Sequence, residues 1–239
     1  MDAGASGRTY RRASRGGAVL IPCVFHRVWL GGKPMPDLLT QWGQSWLDLN
    51  PGWSMVTWTE RNLPPSAHPD AVARACHLSQ RSNVYRYEVL ARQGGVYIDC
   101  DFQALRPLDN LLDGASAFAA FKVPGRPSAA ILGCEPGHPF ALELVRRIPE
   151  RDPAISMTMG DGHVKDVLAT YPEVKMFAHE LLHPVRHFEC RKLWRDGEPL
   201  PVDEVRAMYP RALACHYWSD KWYPPSFARI SGDTMEAAA

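Results

Sequence analysis

No stretch of roughly eighteen apolar residues occurs in the 239-residue chain, so the sequence predicts no transmembrane helix. The apolar run Ala18–Val24 is broken by Pro22 and has no small-residue cleavage site, which argues against a secretory signal peptide. Charge of one sign is also lacking. Lys and Arg number 27 against 26 Asp and Glu, a net charge of +1, so no global field points to nucleic acid as a partner. The six cysteines, Cys23, Cys76, Cys100, Cys134, Cys190 and Cys215, have no close pairs. That spacing fits neither a disulfide framework nor a zinc ribbon, and reduced thiols in a cytoplasmic protein are expected.

What is present suits one α/β domain. Hydrophobic residues make up 46% and charged residues 22%, ordinary values for a globular chain of this length. Residues 1–18, with Arg8, Arg11, Arg12 and Arg15 among Gly, Ser and Ala, read as a disordered basic tail. Such a tail leaves room for weak peripheral contact with an anionic membrane. The domain is expected over 19–228, with a second tail at 229–239.

The most informative stretch is Arg81–Phe102. Ser82 can cap a helix over Asn83–Arg92. Gly94 and Gly95 end it, because glycine reaches the left-handed conformation without strain. Val96, Tyr97 and Ile98 follow as a short buried strand. It runs into Asp99-Cys100-Asp101. Two acids at a buried strand end are costly unless something positive lies between them. Residues two apart in a strand share a face, so Asp99 and Asp101 are predicted to aim at one cation, with Cys100 turned away. Hard oxygen ligands suit Mg²⁺ or Mn²⁺.

This stretch closely resembles the donor-site signature of glycosyltransferases with a sugar-binding DXD motif. That group includes yeast initiating mannosyltransferases, bacterial capsule and lipopolysaccharide sugar transferases, and the catalytic domains of large clostridial glucosylating toxins. The matching residues are Ser82, Asn83, Arg86, Leu90, Gly94, Gly95, Tyr97, Asp99 and Asp101. Asn83 departs from the pattern, since the family usually has Asp at this nucleotide-contacting position. An earlier block matches too, with His26, Val28, Trp29, Leu30 and Gly31 closing a first strand over Val24–Leu30. The resemblance implies that Trp29 lies near the nucleotide base. It also implies that Ser82, Asn83, Arg86, Tyr97 and Asp99 contact the donor. Near the end of the chain, a His-X-Trp segment implies His216 as a third metal ligand and Ser219 and Trp222 as diphosphate contacts.

Between these blocks the pattern gives a helix over Asp37–Leu49, a strand over Trp53–Thr59, and strands at Ala117–Val123 and Ala130–Gly133 around a loop at Pro124–Pro127. A helix follows over Phe140–Ile148, with His138 as a capping or packing residue. Ile155–Val164 reads as a flexible acceptor-side loop. Val174–Phe177 and Ala212–Tyr217 read as strands, and residues 191–210 as a surface excursion. One rival motif stands out. His179-Glu180-Leu181-Leu182-His183 spells the HExxH of zinc metalloproteases, but Pro184 would end the helix at once and no third ligand motif follows.

The expected fold is therefore a single-domain GT-A-like nucleotide-diphospho-sugar transferase, with a mixed, mostly parallel sheet flanked by helices. Its donor site would lie at the carboxyl ends of the strands. The expected activity is metal-dependent transfer of a sugar from a UDP- or GDP-sugar to a hydroxyl of a glycan, small molecule or protein, with retention at the anomeric carbon. Such a reaction serves glycan or glycosylated natural-product biosynthesis. Asp99, Asp101 and Arg86 would be the catalytic groups. A metal-dependent hydrolase using His179, Glu180 and His183, or a non-catalytic sugar-nucleotide binder, are the alternatives.

Overall fold

The computed structural model describes residues 21–108, 111–155 and 158–218. Both expected tails, Ser219 and Trp222 lie outside the described residues. In chain order the elements begin with β1 (Val24–Val28), α1 (Asp37–Leu49), β2 (Ser54–Trp58), α2 (Pro69–Arg74), α3 (Leu78–Gln93), β3 (Gly95–Ile98) and β4 (Phe102–Ala104). Next come β5 (Ala117–Val123), β6 (Arg126–Cys134), α4 (Pro139–Arg146), α5 (Asp161–Leu168) and β7 (Lys175–Phe177). The last are α6 (His179–Leu182), the β8 (Trp194–Arg195) and β9 (Glu198–Pro199) hairpin, α7 (Val202–Met208) and β10 (Ala214–His216).

Six strands form the main sheet in the order β2-β1-β3-β6-β5-β7. The pairs β1–β2, β1–β3 and β5–β7 are parallel, whereas β6 runs antiparallel to both its neighbours. This is the mixed, mostly parallel sheet that was expected. Val84, Tyr87 and Leu90 of α3 pack with Phe140 and Leu144 of α4 and Val164 and Val167 of α5 in one core cluster. Phe25, Trp46, Ile98, Phe102, Phe118 and Phe177 centre a second. A third joins Leu39 and Trp42 of α1 to Leu193, Leu200, Val205 and Tyr217. Residues 191–210 thus supply core side chains instead of crossing the surface. Their leucines and valine sit far apart among charged residues, which hides the pattern in the sequence.

Other boundaries shift for physical reasons. Helix α3 starts at Leu78, so Ser82 lies in its second turn and caps nothing. At the other end Gly94 (φ 63°) donates its N–H to the Leu90 carbonyl. A Cβ there would lie 2.6 Å from the Pro136 nitrogen, so only glycine fits without displacement. The expected Pro124–Pro127 loop shrinks to a tight turn, with Pro127 paired to Phe121 across the β5–β6 hairpin. Of the expected flexible loop, residues 161–164 are helical in α5, and Met159 and Val164 are fully buried. His138 caps α4, its Nδ1 accepting the Phe140 N–H at 3.2 Å.

His26 locks the sheet to the turn that precedes the acids. Its ring is fully buried, with Nδ1 accepting from the Trp58 indole N–H at 3.1 Å and Nε2 3.0 Å from the Gly94 carbonyl. That arrangement requires the neutral ring protonated at Nε2. Burial lowers its pKa to about 4, against an opposing pull from the Gly94 bond. Between pH 6.5 and about 4 the unfolded chain binds a proton at this position that the folded chain refuses. Stability should fall through that window as pH drops, by roughly 3 kcal/mol from this residue. Urea titrations at stepped pH should show His26→Gln losing about 1.4 kcal/mol per pH unit of that slope. An identical slope in the variant would remove His26 as its source.

Candidate donor and metal site

The parallel strands β1 and β3 end side by side, and the acids follow β3 directly. The strand stops at Ile98, so Asp99 and Asp101 do not share a strand face. A turn brings them together instead, closed by the Phe102 N–H donating to the Asp99 carbonyl at 3.2 Å. Cys100 points away, its Sγ 3.4 Å from the Val28 carbonyl. Burial pushes its thiol up to about 12, so it is no thiolate nucleophile at neutral pH.

The end of the chain returns to this turn. Strand β10 pairs antiparallel with β4, with His216 opposite Phe102. The Tyr217 N–H donates to the Asp101 carbonyl at 3.0 Å, and His216 Nε2 lies 2.9 Å from Asp101 Oδ1. One ligand atom from each of Asp99, Asp101 and His216 falls within 4.8 Å of the others. Two carboxylates and an imidazole at that spacing fit a divalent cation, and the nitrogen donor suits Mn²⁺ better than Ca²⁺. The expected third ligand is thus brought to the acids across 115 residues of sequence.

Arg86 organises the other side. Its guanidinium is buried, with one terminal nitrogen 2.8 Å from Asp99 Oδ1 and the other on the Ala129 carbonyl. The charge also lies 4.3 Å from the centre of the Tyr97 ring. Tyr97 in turn donates its hydroxyl to Asp99 Oδ1 at 2.8 Å. Asp99 Oδ1 thus receives two donors that fix the carboxylate. Burial pushes the Asp99 carboxyl above the usual range; Arg86 opposes that shift and Asp101 adds to it. Burial also works against the Arg86 charge, yet Asp99 and the nearby tyrosines more than restore it. Crowded acids with a disfavoured ionised form gain most from a bound cation.

The remaining predicted residues are mixed. Ser82 lies 3.5 Å from the Tyr97 hydroxyl, beside the acids. Asn83 is buried one turn before Arg86 and donates to Gln80 Oε1 at 3.3 Å. Trp29 lines a cleft of about 410 Å³ with Lys33, Thr57, Thr59 and Arg61, its indole N–H donating to the Lys33 carbonyl. The HExxH residues form no comparable group. Helix α6 is a single turn, His183 is its cap, and the His183 ring packs edge-on against Phe102 and His216. Sequence reasoning missed Asp161 and Lys122, which form an ion pair beside Ala129. No motif spacing marks them, because Lys122 lies on β5 and Asp161 on α5, 39 residues apart in sequence.

Residues 36–118 match the model of the glycosyltransferase sugar-binding region containing DXD motif. That part of the chain is similar to the DXD glycosyltransferase region. This DXD region spans α1 to the start of β5 and includes Arg86 and both acids. Two inositol phosphoceramide mannosyltransferases of Schizosaccharomyces pombe are similar in sequence. Number 3 is 30% identical over 135 residues, covering 54% of this chain and 37% of its own length. Number 1 is 24% identical over 215 residues, covering 85% and 62%. The chain therefore spans less than two thirds of either relative. The fold is shared with the PaToxG glycosyltransferase at a TM-score of 0.50 and 11% identity, over 64% of this chain and 70% of that one.

Proposed function

We propose that this DXD protein transfers a hexose from a UDP- or GDP-sugar to an acceptor hydroxyl, with retention at the anomeric carbon. The observation that carries this reading is the convergence of Asp99, Asp101 and His216 beside the buried Arg86. A divalent cation, Mn²⁺ or Mg²⁺, held there supplies positive charge for the diphosphate leaving group. Asp101 and His216 hold each other in register for that role. Arg86 and Tyr97 keep Asp99 in one rotamer, so little reorganisation is needed when donor arrives. Trp29, Ser82 and Asn83 border the space for nucleoside and ribose. Front-face attack assisted by the departing phosphate is the course that retention requires without an enzymic nucleophile. The acceptor is a glycan, small molecule or protein hydroxyl, and the names of the relatives make mannose the first sugar to try.

A panel of UDP- and GDP-sugars with and without Mn²⁺, read by thermal shift, tests the proposal, since a ligand that binds only the folded state raises its stability. Stabilisation by one nucleotide sugar that needs the metal is the expected result. Stabilisation by Zn²⁺ with indifference to every nucleotide sugar would turn the reading towards a hydrolase. Binding without transfer or slow donor hydrolysis would leave a sugar-nucleotide binder.

Asn83 offers a narrower check. An amide keeps one acceptor where the family has a charge. Asn83→Ala should raise the donor KM severalfold while kcat changes little, the pattern for lost ground-state binding. An unchanged donor KM would make Asn83 a helix residue only.

A further inference from the structure

The β5–β6 ladder is interrupted beside the site. Ala119 pairs with Leu132, but the next residue, Ala120, pairs with Ser128. Residues 129–131 of β6 therefore bulge out of register with β5. Ala130 still serves β3, its carbonyl accepting the Asp99 N–H at 2.8 Å. Ala129 is left to find partners elsewhere. Its N–H donates to Asp161 Oδ1 at 2.7 Å, and its carbonyl accepts from Arg86. The second Asp161 oxygen takes the Lys122 ammonium. Bulges of this kind commonly re-aim groups next to active sites.

We infer that Asp161 is a positioning residue, holding Ala129 where Arg86 needs it and so setting the rotamer of Asp99. The guanidinium is planar and its two terminal nitrogens are anchored 43 and 13 residues away in sequence, at Ala129 and Asp99. A fork with two fixed ends transmits the placement of one end to the other. Asp161 is itself fixed from the helix side. Tyr87, the neighbour of Arg86 on α3, donates its hydroxyl to the Met159 carbonyl at 2.7 Å, two residues before Asp161. Asp161 thus acts on Asp99 through one backbone residue and one arginine. The inference rests on the glycosyl-transfer reading for its catalytic consequence, but its structural part does not.

The test uses the full chain with ¹⁵N-labelled arginine. Rotation of the Arg86 guanidinium about Nε–Cζ is followed by NMR without metal, and Mn²⁺ affinity by water-proton relaxation. Asp161→Ala removes the Ala129 bond. It should speed Arg86 rotation severalfold and weaken Mn²⁺ binding about tenfold, the usual effect of removing a group behind a ligand. Asp161→Glu keeps the charge and the Lys122 partner but carries an extra methylene that displaces Ala129, so it should show the same two changes if the alanine variant fails to fold. Lys122→Met keeps the Asp161–Ala129 bond and should leave both readouts within about twofold of the parent. Wild-type rotation in Asp161→Glu, or equal loosening in Lys122→Met, would overturn the inference. If Arg86 loosens as expected but no nucleotide sugar ever binds, the positioning role stands and the proposed activity fails.

Discussion

Asp101→Asn should fold and lose transfer by on the order of a thousandfold, the scale expected when a group that stabilises transition-state charge is removed. Asn keeps an oxygen 2.9 Å from His216 Nε2, so the link between β10 and the acid turn survives while the charge does not. Asp101 is one of the groups that hold the Asp99 carboxyl up, after burial. A raised folded pKa means that stability without metal declines as pH rises through it. The variant should therefore show a shallower decline than the parent, together with no Mn²⁺-dependent rise in melting temperature. Thermal melts between pH 4 and 8, with and without Mn²⁺, measure both effects. Undiminished transfer by Asp101→Asn, or by the parent in excess chelator, would remove the metal from the proposed mechanism.

Much of this site could be read in the sequence because its parts lie close together. Gly94, Gly95, the apolar Val96–Ile98 run and the two acids follow one another, and the glycine and burial rules behind them are local. His216 was reachable only by resemblance, since nothing local reveals that β10 pairs with β4. Resemblance marks His26 as part of the opening block, but no local pattern shows what its ring does. The structure shows it bonded to Trp58 and near the Gly94 carbonyl, which explains a fully buried histidine in β1. The strand ends at Ile98 as the sequence predicts, but the acids meet through a turn and not through a shared strand face. One oxygen from each acid still falls within 4.8 Å of the other. Asp161 was invisible for a different reason: its role depends on a bulge, and bulges leave little trace in alternation.

Arg86→Met should cost roughly 3–5 kcal/mol of stability and most of the activity. The loss comes from what it leaves behind. The half-buried Asp99 would keep only the Tyr97 hydroxyl on Oδ1, and the buried Ala129 carbonyl would lose its donor. Breaking a buried pair from one side typically costs this much, whereas removing both charges costs far less. Asp99→Asn in the Arg86→Met background should therefore recover stability, with a coupling of about 1–3 kcal/mol between the two sites. Arg86→Lys is the informative intermediate. It restores a charge near Asp99, but a single ammonium cannot reproduce the planar fork that spans Asp99 and Ala129. Lysine should recover part of the stability and little of the activity. Urea unfolding of the parent, both single variants at Arg86, Asp99→Asn and the double variant completes the cycle. Additive losses in that cycle would show that Arg86 and Asp99 act independently, and Arg86 would then lose its place in the site.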